Sequence, residues 1–234
     1  MTKLSNRVTT GPLITTDWPN CYFNFYSMDT EQIFLENSKK FKIANEDWLY
    51  FKKHIDYKFN SQGYRTKEWA DINWQESVVI FGCSNVLGEG LAEEDTVSSQ
   101  LSKLIGRPVV NLGVSGTGIF FNFYNSVMLD NNFPTPYAVV QLWPETTRFE
   151  LFNETTFLIN TPFGFGKDTS PEGKFKDGFY KHWITDPENA NTHTWLIAQA
   201  SKSMWSNKTR HYEISLHKST AELLNCDCSD WVDV

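Results

Sequence analysis

The 234-residue sequence has no long hydrophobic run. Its apolar stretches last only a few residues, far short of the roughly 20 that a helix needs to cross a bilayer, so no membrane span is expected. Positive charge is also scarce, with 21 Lys+Arg against 28 Asp+Glu and a formal net charge of −7. A surface of that sign repels a phosphate backbone, and a nucleic-acid partner is not expected. The start, Thr2-Lys3-Leu4-Ser5-Asn6-Arg7, lacks the apolar core of a secretory leader. The four cysteines, Cys21, Cys83, Cys226 and Cys228, are therefore expected as reduced thiols in a cytoplasm and not as a disulfide framework. Internal repeats and low-complexity tracts are missing as well.

What is abundant is aromatic material: 18 Phe, 9 Trp and 9 Tyr in a chain that is 40% hydrophobic. That composition excludes disorder as the main state and supplies bulk for a sizeable core. The first 75 residues are irregular and rich in Trp and Phe. Short helices are expected after Asp29-Thr30, through Ile33, Phe34 and Leu35, and over residues 46–54. This segment, 1–75, reads as an extension packed on the body that follows, 76–234.

From Ser77 the pattern alternates between strand and helix. Ser77–Phe81 is a continuous, mostly β-branched run of the kind that forms a buried parallel strand. Val97, Leu101, Leu104 and Ile105 share one helical face, with Asp95 as the expected N-cap and Gly106-Arg107-Pro108 as the stop. Val109–Leu112 is a second strand. Ile119, Phe120, Phe123 and Val127 repeat at helical spacing, and Tyr137–Trp143 is a third strand. This alternation predicts an α/β fold with a mainly parallel sheet and right-handed crossovers. Further on, 161–181 reads as a long loop over the site, 191–206 as a helix, and 211–216 as a strand with Tyr212, Ile214 and Leu216 on one side.

In open parallel sheets, ligands bind outside the carboxyl ends of the strands, so the residues that follow each strand matter most. After the first comes GCSNVLGEG, residues 82–90, with Ser84 on a glycine-bracketed turn and Asn85 beside it. Such a serine either points its hydroxyl into the crevice, with backbone N–H groups facing an oxyanion, or simply bonds within its own turn. As a nucleophile it requires a base, usually histidine. After the second strand comes NLGVSGTG, residues 111–118, where glycines let backbone amides approach a ligand. Its G-x-x-G-x-G spacing is not the dinucleotide fingerprint, and no Gly-Lys-Ser/Thr follows either turn. Cys226-x-Cys228 with His211 and His217 matches no common zinc spacing.

Together, the Gly-x-Ser turn, the Asn-x-Gly-x-Ser-Gly block and FNSQGYRTKE at 59–68 resemble the SGNH hydrolase (GDSL lipase/esterase) superfamily, in a microbial and phage-associated branch. The likeness covers residues 57–150. It implies a three-layer α/β/α sandwich of flavodoxin-like type and hydrolysis of an acyl ester, sugar- or lipid-linked, through an acyl-enzyme on Ser84. The substrate it implies is a small-molecule or glycan ester, with no metal or organic cofactor. By the same resemblance the Ser84 and Gly116 N–H groups form the oxyanion hole. Cys83 stands where the better-known motif has Asp, and it reads as a packing thiol.

Two departures are visible. No Asn follows the third strand; Gln141, Glu145, Thr146 and Arg148 are the site-lining candidates there, with Arg148 also an expected salt-bridge partner of Glu145 or Glu150. The family's Asp-x-x-His occurs nowhere in the 234 residues. Either the chain stops before that block or it works without a family-type base, with His211 and His217 the nearest substitutes. The alternative expectation is a catalytically inactive carbohydrate-binding or structural module of the same fold.

Overall fold

The computed structural model describes residues 12–16, 18–24, 32, 35–36, 39–40, 55–152, 157–160, 170–179, 181–182 and 186–228. The helix expected at 46–54 lies outside these. Residues 32, 35–36 and 39–40 are helical, in the stretch expected to start after Asp29-Thr30.

Strands β1 (Tyr22–Phe23) and β2 (Tyr57–Lys58) form a small antiparallel pair. Then come β3 (Val78–Gly82), the one-turn helix α1 (Ser84–Leu87), α2 (Val97–Ile105), β4 (Val109–Gly113), α3 (Ile119–Asn132) and β5 (Ala138–Trp143). A hairpin, β6 (Phe149–Phe152) with β7 (Phe157–Asn160), precedes α4 (Pro171–Phe179), α5 (Pro187–Trp205), β8 (Arg210–Ser215), α6 (Lys218–Leu224) and β9 (Asp227–Cys228).

The main sheet runs β4-β3-β5-β8-β9, and every pairing in it is parallel. The chain leaves β3 toward β4, then crosses back over β3 to β5, so the order reverses at β3. This is the flavodoxin-like order, in which a crevice opens outside the carboxyl ends of the strands beside the reversal. Val78, Ile80, Val86, Ala138, Val140 and Leu142 pack on one face, with Leu101 of α2 against them. Val79, Phe81, Val110, Leu112 and Val139 pack on the other with Phe121 and Leu129 of α3 and Trp205 of α5. Three layers result. Each fully buried branched or aromatic side chain among these contributes about 1.5–3 kcal/mol. Leu13, Ile14, Tyr64 and Trp74 join the second face's core.

Some expectations change on contact with the tertiary structure. Helix α2 is capped by Thr96, whose side chain accepts from the Ser99 N–H; Asp95 sits in a preceding 3-10 turn. Of its apolar row only Leu101 packs on the sheet; Leu104 is 83% exposed, while Ser98 is buried, with Asn111 of β4 donating to it. On α3 the inward face is mixed, with Asn122, Asn125 and Ser126 buried among Ile119, Phe121 and Leu129 in place of an all-apolar stripe. Asn125 and Ser126 bond to Tyr64 and Trp205. Within 161–181, residues 161–169 lie outside the described set, and Pro171–Phe179 is a helix, not a loop. Pro171 suits a first helical position, and Ser170 Oγ accepts from the Gly173 N–H at 3.0 Å. Strand β8 appears where expected, but Tyr212 is exposed.

Candidate active site

Strands β3 and β4 end in register on Gly82 and Gly113. Helix α1 lies directly on this pair. A Cβ built on Gly113 would stand 2.3 Å from the Leu87 nitrogen, and one on Gly82 would stand 2.3 Å from Val86 Cγ2. Asn111, buried in β4, donates to the Val86 carbonyl at 2.7 Å and accepts from the Gly113 N–H at 2.9 Å. The two glycine-rich turns thus form one packed unit. Ser115 extends it by donating to Glu89 at 2.7 Å.

Ser84 is the first residue of α1 and is half-buried at the carboxyl end of β3, which lies between β4 and β5. Among the described residues its hydroxyl has no hydrogen-bond partner, and neither its N–H nor that of Gly116 has an acceptor. Gly116 takes φ +75°, a left-handed conformation that favours glycine. Asn85 is exposed, its amide 3.9 Å from the sulfur of buried Cys83. The turn combines an unspent hydroxyl with two unspent backbone donors, the ingredients of acyl transfer.

The candidates in and after β5 divide. Gln141 is fully buried and donates to Ser126 and Ser201 on the α3–α5 side, so it is not at hand for a ligand. Glu145, Thr146 and Arg148 lie in the turn beyond β5, where the Arg148 N–H donates to the Glu145 carbonyl at 3.2 Å. Arg148 Nε is 3.9 Å from the Glu145 carboxylate, the ion pair the sequence suggested.

His217 lies just past β8, at the same edge of the sheet as Ser84 and Glu145. Its Nδ1 is 3.6 Å from Glu145 Oε1. Ser215 holds the neighbouring ends together, donating to the Trp143 carbonyl and accepting from the His217 N–H, each at 3.1 Å. His211 is placed differently: it pairs with Val139 near the amino ends of the strands. Burial and nearby Lys202 push its pKa down to about 4. The structure thus brings His217, not His211, to the crevice edge.

Two features carried no clear signal in the sequence. Glu150, in β6, is buried against the start of α3, where it accepts from the Gly118 N–H. Burial raises its pKa to about 8, against the opposing pull of the Gly118 and Phe121 N–H groups and Arg148. A Cβ on Gly118 would meet the Arg148 carbonyl oxygen at 2.5 Å, so a glycine is required for that approach. The second feature is Arg65, whose presence in FNSQGYRTKE was the only hint. Among the described residues no group of three or more His, Cys, Asp or Glu could hold a metal ion. No described helix is long and apolar enough to cross a membrane.

The fold and edge define an α/β protein with a serine turn at the topological switch point. No family model matches the chain, and no curated protein matches it. Among solved structures it is similar to AlinE4, a SGNH-hydrolase family esterase, at 12% identity over 68% of this chain and 77% of that one, with a TM-score of 0.37. Two mutants of the same esterase match over the same shares at 13% identity and TM-score 0.37. At that level the likeness assigns no residue and no activity.

Proposed function

We propose that this chain is a serine ester hydrolase of the SGNH type, cleaving a sugar- or lipid-linked acyl ester through an acyl-enzyme on Ser84. The observation that carries the reading is the Ser84 turn itself: a hydroxyl without a partner among the described residues, at the carboxyl end of β3, with the Ser84 and Gly116 N–H groups unspent. Residues 76–234 form the hydrolase-like domain in this reading, and 1–75 an extension packed on it. Ser84 Oγ attacks the ester carbonyl carbon and gives its proton to a base. The carbonyl oxygen becomes an oxyanion facing the two N–H groups. The alcohol leaves with a proton from the same base, and water then releases the acid by the reverse path. His217 is the base assigned here, with the Glu145 carboxylate 3.6 Å from its Nδ1.

A fluorophosphonate probe tests the nucleophile. Wild type is expected to label and to hydrolyse p-nitrophenyl acetate, and Ser84→Ala to do neither; equal labelling of the two proteins removes Ser84 from the role. His217→Gln is expected to lower hydrolysis by about 10²–10⁴-fold.

A second reading is a carbohydrate-binding or structural module of the same fold. The 3.6 Å separation of His217 from Glu145 favours it, being longer than a hydrogen bond. Trp195, exposed on α5, offers a stacking face for a sugar. Calorimetric glycan binding by a protein that neither labels nor hydrolyses would select it.

A further inference from the structure

We propose that Arg65 is a positioning residue for Ser84, holding the nucleophile turn from behind; this rests on the reading of Ser84 as the nucleophile. The Arg65 side chain is 1% exposed. Its Nη1 donates to the carbonyls of Leu87 at 3.2 Å and Gly88 at 2.8 Å. Its Nη2 donates to those of Leu91 and Asp56, each at 3.0 Å. Its Nε lies 2.9 Å from the Glu93 carboxylate, and the guanidinium stacks 4.5 Å from the centre of the Tyr57 ring. Three of the four carbonyls belong to the last residue of α1 and the segment that leaves it.

That segment is bonded straight back to Ser84. The N–H groups of Gly88 and Glu89 both donate to the Ser84 carbonyl, at 2.9 and 3.1 Å. Ser84 and Arg65 are thus joined through a single residue, Gly88, whose N–H holds one and whose carbonyl holds the other. Gly88 is at φ +77°, and a Cβ there would stand 2.5 Å from Thr96 Cγ2. The turn therefore has little room to re-form elsewhere. Tyr57 braces the same loop, its hydroxyl accepting from the Gly90 N–H at 2.7 Å. A one-turn helix has no length of its own to fix its first residue. Here the orientation of Ser84 is set by the guanidinium, whose planar fork meets several carbonyls at once, as a lysine ammonium cannot.

The test compares wild type, Arg65→Lys, Tyr57→Phe and Glu93→Gln by fluorophosphonate labelling rate and by kcat and KM on p-nitrophenyl acetate. Arg65→Lys is expected to lower kcat and the labelling rate by about 10–100-fold, because misplacing a reacting group by about 1 Å costs on that scale, with KM within about 3-fold of wild type. Tyr57→Phe is expected to slow labelling several-fold. Glu93→Gln removes a charge partner but none of the carbonyl bonds, and is expected to label at the wild-type rate even if it melts earlier. If Arg65→Lys is folded and labels like wild type, the proposal is overturned. If Arg65→Lys does not fold, Tyr57→Phe decides, and wild-type labelling by that variant overturns the proposal. Failure of wild type to label is a different result: it removes the nucleophile reading, and the positioning role falls with it.

Discussion

Asn125 on α3 donates its amide to the hydroxyl of Tyr64 at 2.7 Å, and that hydroxyl donates onward to the Ile14 carbonyl at 2.6 Å. The Asn125 carbonyl oxygen closes the ring by accepting from the Ile14 N–H at 3.0 Å. Asn60 folds the intervening loop on itself by accepting from the Gln62 and Tyr64 N–H groups, each at 3.0 Å. Consecutive residues thus face two ways: Tyr64 reaches α3 and Arg65 reaches the Ser84 turn. This gives FNSQGYRTKE a physical role as the clamp between the aromatic segment and the sheet.

Tyr64→Phe keeps the ring but strands a buried amide and a buried carbonyl. Leaving such groups unsatisfied costs about 1–3 kcal/mol. Urea unfolding of Tyr64→Phe is expected to show a loss of that size with an unchanged slope. A loss below about 0.5 kcal/mol would mean that the ring of bonds adds little.

Gly113→Ala places a methyl group against the backbone of α1, 2.3 Å from the Leu87 nitrogen. Backbone cannot rotate away as a side chain can. The expected cost is about 1–3 kcal/mol, together with slower fluorophosphonate labelling as α1 is pushed off the strand ends. Gly90→Ala makes a useful contrast, since a Cβ there meets nothing within 4 Å and only its φ of +80° opposes the change. Thermal melting of the two variants is expected to rank Gly113→Ala as the worse.

Glu150 makes stability depend on pH. Its folded pKa, about 8, is above the ordinary 4.5 because burial disfavours the charged carboxylate. Between those values the folded chain holds a proton that the unfolded chain has lost. Its contribution is therefore fully present below about pH 4.5 and disappears as pH rises through about 8. His211 works in the opposite sense at lower pH: with its folded pKa at about 4, it favours the fold more as pH rises toward 6.5. Glu150→Gln keeps an acceptor for Gly118 but removes the titration. Its melting temperature is expected to fall less than that of wild type between pH 6 and 8.5. Parallel curves for the two proteins would contradict this.

Much of the architecture was legible without coordinates. The short Val- and Ile-rich run at 78–81 and the Val-Val-Asn-Leu stretch at 109–112 read as buried parallel strands, and the glycines that end them announce tight turns. Side-chain partners were not legible, because they come from distant sequence. Gln141 reads as a site residue by its place near the end of the third strand, yet Ser126 and Ser201 draw its amide inward. Leu104 reads as core by helical spacing, yet α2 turns Ser98 to the sheet because Asn111 offers a partner there. The β6–β7 hairpin, with its buried Glu150, had no strong periodic signal.

By itself, the sequence determined the strand–helix alternation from β3 to β5 and the two glycine-rich turns, since these follow from local periodicity, branching and backbone freedom. Which residues share the crevice edge was decided only by the tertiary structure. Sheet register set Gly82 beside Gly113, strand order brought His217 next to Glu145, and the clamp loop delivered Arg65 behind Ser84. Each of these juxtapositions joins segments far apart in sequence, and only burial and hydrogen-bond completion across the folded chain select among the possible pairings.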